Sequence, residues 1–104
     1  MFPLSRFRVE DRSMEPTLRA GDYILVNRWA YRRREPAPGD IVVLKDPEAP
    51  DRCLVKRVLS GAPASGYFVE GDNAEQSRDS RHFGPVQRQL IVGKVRVRAR
   101  VSTA

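Results

Sequence analysis

Gly39-Asp40-Ile41-Val42-Val43-Leu44-Lys45 is the stretch on which the fold class turns. A glycine and an aspartate, residues that favour turns, open directly onto a run of branched apolar side chains of strand length. The same device recurs where Gly21-Asp22 precedes Tyr23-Ile24-Leu25-Val26. Working outward, β-type runs cover Phe7 to Glu10, Tyr23 to Arg28, Asp40 to Lys45, Cys53 to Leu59, Tyr67 to Glu70 and Leu90 to Val101, with Pro36, Pro38, Pro47, Pro50 and Pro63 punctuating the connections. Gly61 to Gly66 reads as a hairpin turn. Helical periodicity is never sustained, although Met14 to Ala20 allows one helical turn and Trp29 to Arg34 a short irregular one. The expectation is an all-β chain: one small β-barrel or sandwich domain over residues 1–104, with little helix, no internal repeat and no second-domain boundary.

Composition is that of an ordinary globular protein, 40% hydrophobic and 31% charged. The net charge of +6 rests on 16 arginines and 3 lysines, a balance compatible with nucleic acid or an anionic membrane. The arginines are scattered, however, apart from Arg32-Arg33-Arg34 and the series Lys94, Arg96, Arg98, Arg100. That series alternates with Val95, Val97, Ala99 and Val101, the pattern of a strand with one solvated face. A single cysteine, Cys53, excludes an internal disulfide, and with His82 as the one histidine no metal-ligand spacing exists. Neither a metal nor another cofactor is expected. No stretch approaches the ~20 apolar residues needed to span a bilayer, and the N-terminus is too interrupted for a secretory signal. The reading is therefore of a soluble, cytoplasmic chain. Phe2, Leu4 and Phe7 are left either to touch a membrane interface peripherally or to pack as a strand edge on the core.

Three segments carry chemistry. Ser13-Met14-Glu15-Pro16-Thr17-Leu18 puts a serine at the end of a short strand, before a proline-stiffened turn from which its hydroxyl and N–H can project. Leu54-Val55-Lys56-Arg57-Val58 puts a lysine among apolar neighbours. Gly71-Asp72-Asn73, Ser77-Arg78-Asp79-Ser80-Arg81 and Phe83-Gly84-Pro85 punctuate the long connection from Gly71 to Gln89, and ordered loops of that length tend to be functional. A serine is a poor nucleophile until a base takes its proton, and a lysine with the ordinary pKa near ~10.4 is charged and useless for this. Burial disfavours the ammonium form and lowers that pKa, and a Ser-Lys pair is a known variant of the catalytic triad. The bland readings stand beside these. Ser13 also suits a helix cap, Lys56 a strand lysine whose amine reaches water, and Ser77, Asp79 and Arg81 a loop closed by side-chain hydrogen bonds. A triad of His82, Asp79 and Ser13 is a further arrangement. Cys53 reads as a small core residue.

In this order the three segments resemble the boxes of type I signal peptidases, over Val9 to Arg98. The resemblance implies a signal-peptidase-like β fold and a serine endopeptidase. It implies Ser13 as nucleophile, Lys56 as general base and Ser77 as the hydroxyl that orients the lysine amine. Asp79 and Arg81 become a supporting ion pair, and Met14 lines the site. The implied partner is a precursor protein or leader peptide, bound as an extended strand and cut after small residues. Nucleic acid is not an expected partner, and the oligomeric state stays open. Only 16 residues separate Lys56 from Asn73, so the layout is a minimal core, similar to the short maturation proteases that trim the leader of nickel superoxide dismutase.

Two features depart from the family pattern. The usual N-terminal anchor is not expected, since no apolar stretch of that length is read, and Asp11 stands where the family carries a glycine or a serine whose hydroxyl donates to the oxyanion. A carboxylate there opposes catalysis, so Asp11 is expected to point away and leave the Ser13 N–H as the oxyanion donor. The self-cleaving domain of SOS-response repressors shares the Ser and Lys, but this chain lacks their DNA-binding helix pair. The competing reading from another class is a catalytically silent, basic β module for nucleic acid or anionic lipid.

Overall fold

In the computed structural model, which describes residues 3–99, turn chemistry sets strands close to where the pattern puts them. They are β1 (Leu4–Arg8), β2 (Tyr23–Asn27), β3 (Ile41–Asp46), β4 (Ala49–Ala62), β5 (Gly66–Glu70) and β6 (Ile91–Ala99). All belong to one six-stranded sheet of order β1-β2-β6-β3-β4-β5, antiparallel throughout. The all-β expectation holds, but β1 and β5 end the sheet, so it is not a closed barrel. Among the described residues, helix is confined to α1 (Ser80–Phe83) and the 3-10 turns Ala74–Gln76 and Arg88–Leu90.

The run Ile41–Leu44 is apolar without alternation because β3 is covered on both faces. Val42 and Leu44 join one buried cluster with Tyr31, Leu54, Val58 and Tyr67, while Val43 joins another with Val9, Met14, Leu18, Ile24 and Val26. One sheet serves two cores because each face of β3 is covered by one of them. Register irregularities at Leu25/Val26, Val43/Leu44 and Val58/Ser60 place an extra residue on one strand, which increases local twist.

Two edges of this sheet stay open, and they matter for the site. β4 pairs with β3 through Cys53–Arg57 and with β5 only from Arg57 onward, so its β5-side edge is unpaired before Arg57. β1 pairs with β2 alone.

Differences from the sequence reading have local causes. The first strand runs Leu4–Arg8 rather than Phe7 to Glu10, because Val9 exchanges backbone bonds with Asp22 and Gly21 and turns the chain. Met14 to Ala20 closes a single turn, Leu18 N–H to Met14 O at 2.9 Å, and goes no further. Cys53 is exposed and not a core residue, because Leu54, Lys56 and Val58 take the inward face of β4. The basic face of β6 is solvated at Arg96 and Arg98 and half-buried at Lys94. Lys94 pairs with Asp40 at 3.4 Å and Arg98 donates to Thr17 O at 3.2 Å. Leu4 is exposed and Phe7 packs on the second cluster. Phe2, Arg100 and Val101 lie outside the described residues.

Candidate active site

Alternation along β4 decides the fate of Lys56. Leu54, Lys56 and Val58 all point inward, and the register sets Lys56 opposite Val42. The lysine is 1% exposed on an otherwise apolar face, so its amine does not escape to water. Its Nζ donates to Ser77 Oγ at 3.1 Å. Burial is the main force on its pKa and pushes it down. The charges of Asp11 and Asp79 oppose this, and Arg78 and Arg81 reinforce it.

Ser77 in turn donates to Asp79 Oδ2 at 2.5 Å. Asp79 is fully buried and also accepts from Gly71 N at 2.8 Å, Arg81 N at 3.1 Å, Arg81 Nε at 3.0 Å and the Arg81 terminal nitrogen at 2.6 Å. Burial by itself raises its pKa. The hydrogen bonds from Arg81, Ser77 and the backbone outweigh that and hold the carboxyl well below the usual range. Being ionised, Asp79 can only accept, so the Ser77 hydroxyl has to donate to it and keeps its lone pairs for Lys56. Asp79 is also the N-cap of α1 in a capping box whose other half is the His82 ring, accepting from Asp79 N at 3.2 Å. No triad of His82, Asp79 and Ser13 forms. The Ser13 hydroxyl is directed elsewhere, and Asp79 is engaged by Arg81 and Ser77.

Ser13 lies in the turn after β1 and is 2% exposed. What pins it is the triplet Gly71-Asp72-Asn73. Asn73 N–H donates to Ser13 O at 2.8 Å and its side-chain amide to Arg12 O at 3.0 Å. Asp72 accepts Thr17 Oγ1 at 2.6 Å and both arms of Arg57 at 2.9 and 2.8 Å, tying the Ser13 turn to β4. Gly71 is a crossing point, since a Cβ there would lie 2.3 Å from Ser77 Oγ and 2.5 Å from Ser13 O. Ser77 and the backbone of Ser13 thus converge on one bare α-carbon. The sequence reading singled out this triplet without giving its members roles, and gave none to Arg57 or Thr17. The bond from Thr17 to Asp72 spans 55 positions of the chain and that from Asn73 to Arg12 spans 61.

Beside Ser13, between the end of β1 and β4, is a cleft of about 60 Å³ lined by Asp11, Ser13, Met14, Val43, Leu54 and Val55. At ~10–15 Å³ of such space per water it holds a handful of waters, room for a small side chain. Its rim is formed by the two open edges. Among the described residues no cluster of His, Cys, Asp and Glu is arranged to hold a metal ion.

Asp11 departs from expectation. It does not point away: its Oδ1 accepts the Ser13 hydroxyl at 2.9 Å and the Ser13 N–H at 3.1 Å. Both groups that acyl transfer needs from Ser13 are therefore engaged by one carboxylate. The two-residue spacing produces this directly, since an aspartate readily accepts from the backbone two positions on.

The chain matches the family model described as signal peptidase, peptidase S26, through residues 1–63 and 60–100. It is 37% identical over 105 residues to the mitochondrial ATP-independent inner membrane protease subunit 1b of Arabidopsis thaliana, covering 80% of this chain and 62% of that protein. Subunit 1a from the same plant is 35% identical, over 91% of this chain and 70% of its own length. Signal peptidase I of Aquifex aeolicus is 44% identical over 54 residues, 52% of this chain and 21% of that enzyme. The chain spans 62% and 70% of the length of the two plant relatives.

Proposed function

This chain belongs to the signal peptidase family, peptidase S26, and from that premise we propose that it is a serine endopeptidase in which Ser13 attacks a peptide carbonyl and Lys56 is the general base. The observation that carries this reading is the burial of Lys56: an amine 1% exposed on an apolar sheet face, fixed by Ser77, with Ser13 held across Gly71 from the same serine. Neutral Lys56 takes the Ser13 proton as Oγ bonds to the carbonyl carbon. The resulting ammonium returns that proton to the departing amine when the C–N bond breaks. Water then attacks the acyl-serine as Lys56 takes one of its protons, and the ammonium passes that proton to Ser13 Oγ as the ester bond breaks, restoring the hydroxyl and the neutral amine and releasing the product acid, which ionises in solvent. Ser77 aims the amine, and the Asp79–Arg81 pair fixes Ser77.

The substrate is a leader or signal peptide of a precursor protein. Its strand lies between the open edges of β1 and β4, where backbone pairing supplies affinity. The small cleft beside Ser13 selects an alanine-sized residue before the cut. Relatives named as inner membrane proteases suggest that the leader is met at a membrane surface, with this chain associating peripherally. No helix among the described residues is long and apolar enough to cross a bilayer.

The test is cleavage of leader peptides carrying alanine at the first and third positions before the bond, with product masses read. One cut after the small residue is expected, and Ser13→Ala or Lys56→Ala should lower kcat by roughly 10³-fold or more. Unchanged cleavage by either variant would sink the assignment.

A further inference from the structure

Asp11 is a charged group in contact with Ser13 that the proposed chemistry does not use, and it is in the way. Polarising a carbonyl requires the Ser13 N–H to point at the developing oxyanion, from about 2.7–3.1 Å. In the structure a carboxylate oxygen already sits 3.1 Å from that nitrogen, and the same oxygen takes the Ser13 hydroxyl at 2.9 Å. An anionic oxygen held by the Ser13 N–H imitates the oxyanion, and equally the carboxylate of a cleaved product. Asp11 lines the cleft beside Ser13, so an entering residue meets it directly. It is exposed and free to rotate into water once displaced.

Resting on the peptidase reading above, we propose that Asp11 is a resident competitor for the oxyanion position, a residue that restrains turnover by holding the nucleophile and its N–H until the peptide displaces it. A second consequence concerns Lys56. The charged groups around that amine are Asp11 from the turn after β1, and Asp79, Arg78 and Arg81 from the loop and α1; Asp11 is the leading influence favouring the ammonium. The same carboxylate that engages Ser13 therefore opposes the loss of the Lys56 proton, against the larger effect of burial.

The experiment compares wild type, Asp11→Asn and Asp11→Gly on a quenched peptide with alanine at the first and third positions before the cut. kcat and KM are measured across the pH range, with Ser13→Ala as the blank. Both variants should raise kcat/KM at least tenfold at neutral pH and move the midpoint of the alkaline rise to lower pH. Asparagine keeps the shape but holds Ser13 through a neutral oxygen that a peptide displaces more easily than a carboxylate, whereas a turn-holding role alone predicts a normal Asp11→Asn and a damaged Asp11→Gly. The Lys56 titration, followed by NMR of the labelled amine without substrate, should also shift down in Asp11→Asn. Wild-type cleavage that neither variant accelerates, with the midpoint unmoved, overturns the inference and leaves the peptidase reading standing. No cleavage by any of the three, all folded by circular dichroism, overturns the peptidase reading and the inference together.

Discussion

Lys56 is the residue whose placement costs the fold most and on which the proposed activity depends. Between its lowered pKa and the ~10.4 of a free lysine, the unfolded chain binds a proton that the folded chain does not. Stability therefore rises with pH across that window, the reverse of a lysine stabilised by a partner. Lys56→Met, which keeps the volume and removes the charge, should flatten that rise and raise Tm at neutral pH while abolishing cleavage. Denaturant unfolding at a series of pH values, beside a peptide assay, tests both halves. Asp79 has the opposite sign. Its folded pKa is depressed, so its contribution is complete above the ordinary ~3.9 and fades as the pH falls below it. Asp79→Asn should cost about 2–3 kcal/mol at neutral pH, because Ser77, Gly71 N–H and Arg81 lose a charged acceptor, and Arg81 is exposed enough to recover water. The penalty should shrink at acid pH in the same unfolding measurement.

At the scale of elements, the site is built from β4, the turn after β1 and the triplet that joins them. The boxes are legible as a pattern, but the reason for Gly71 is steric and nonlocal. Gly71→Ala forces a methyl against Ser77 Oγ and Ser13 O, and should cost about 1–3 kcal/mol together with most of the turnover, read by thermal melting and kcat. Strand addition makes a separate prediction. With an uncleaved alanine-bearing peptide bound to the Ser13→Ala variant, hydrogen exchange should slow in Leu4 to Glu10 and Arg52 to Val55, the open edges, more than in β6. Protection confined to the β5 edge would place the peptide elsewhere.

For the whole molecule, the +6 charge has a more specific use than a basic surface. Arg57, Arg78 and Arg81 are committed to Asp72, to Asp46 and Glu48, and to Asp79 and Glu70 around the site. What remains outward includes Arg32, Arg33, Arg34 and Arg96, with Trp29 39% exposed beside Arg32. Peripheral association predicts sedimentation with anionic vesicles and not with zwitterionic ones. It should weaken as salt rises past ~0.1 M, where screening acts within ~10 Å. Salt-independent partition would count against it.

By itself the sequence determined the strands, the all-β class and the three boxes, because turn residues, apolar runs and alternation are local consequences of backbone sterics and side-chain burial. Tertiary structure alone decided that one sheet serves two cores without closing, that Gly71 is where Ser13 and Ser77 meet, that Cys53 faces out, and that Asp11 engages Ser13 instead of leaving it free. Those outcomes depend on distances between residues far apart in the chain, or on which of several acceptors a hydroxyl reaches. Neither is encoded in periodicity.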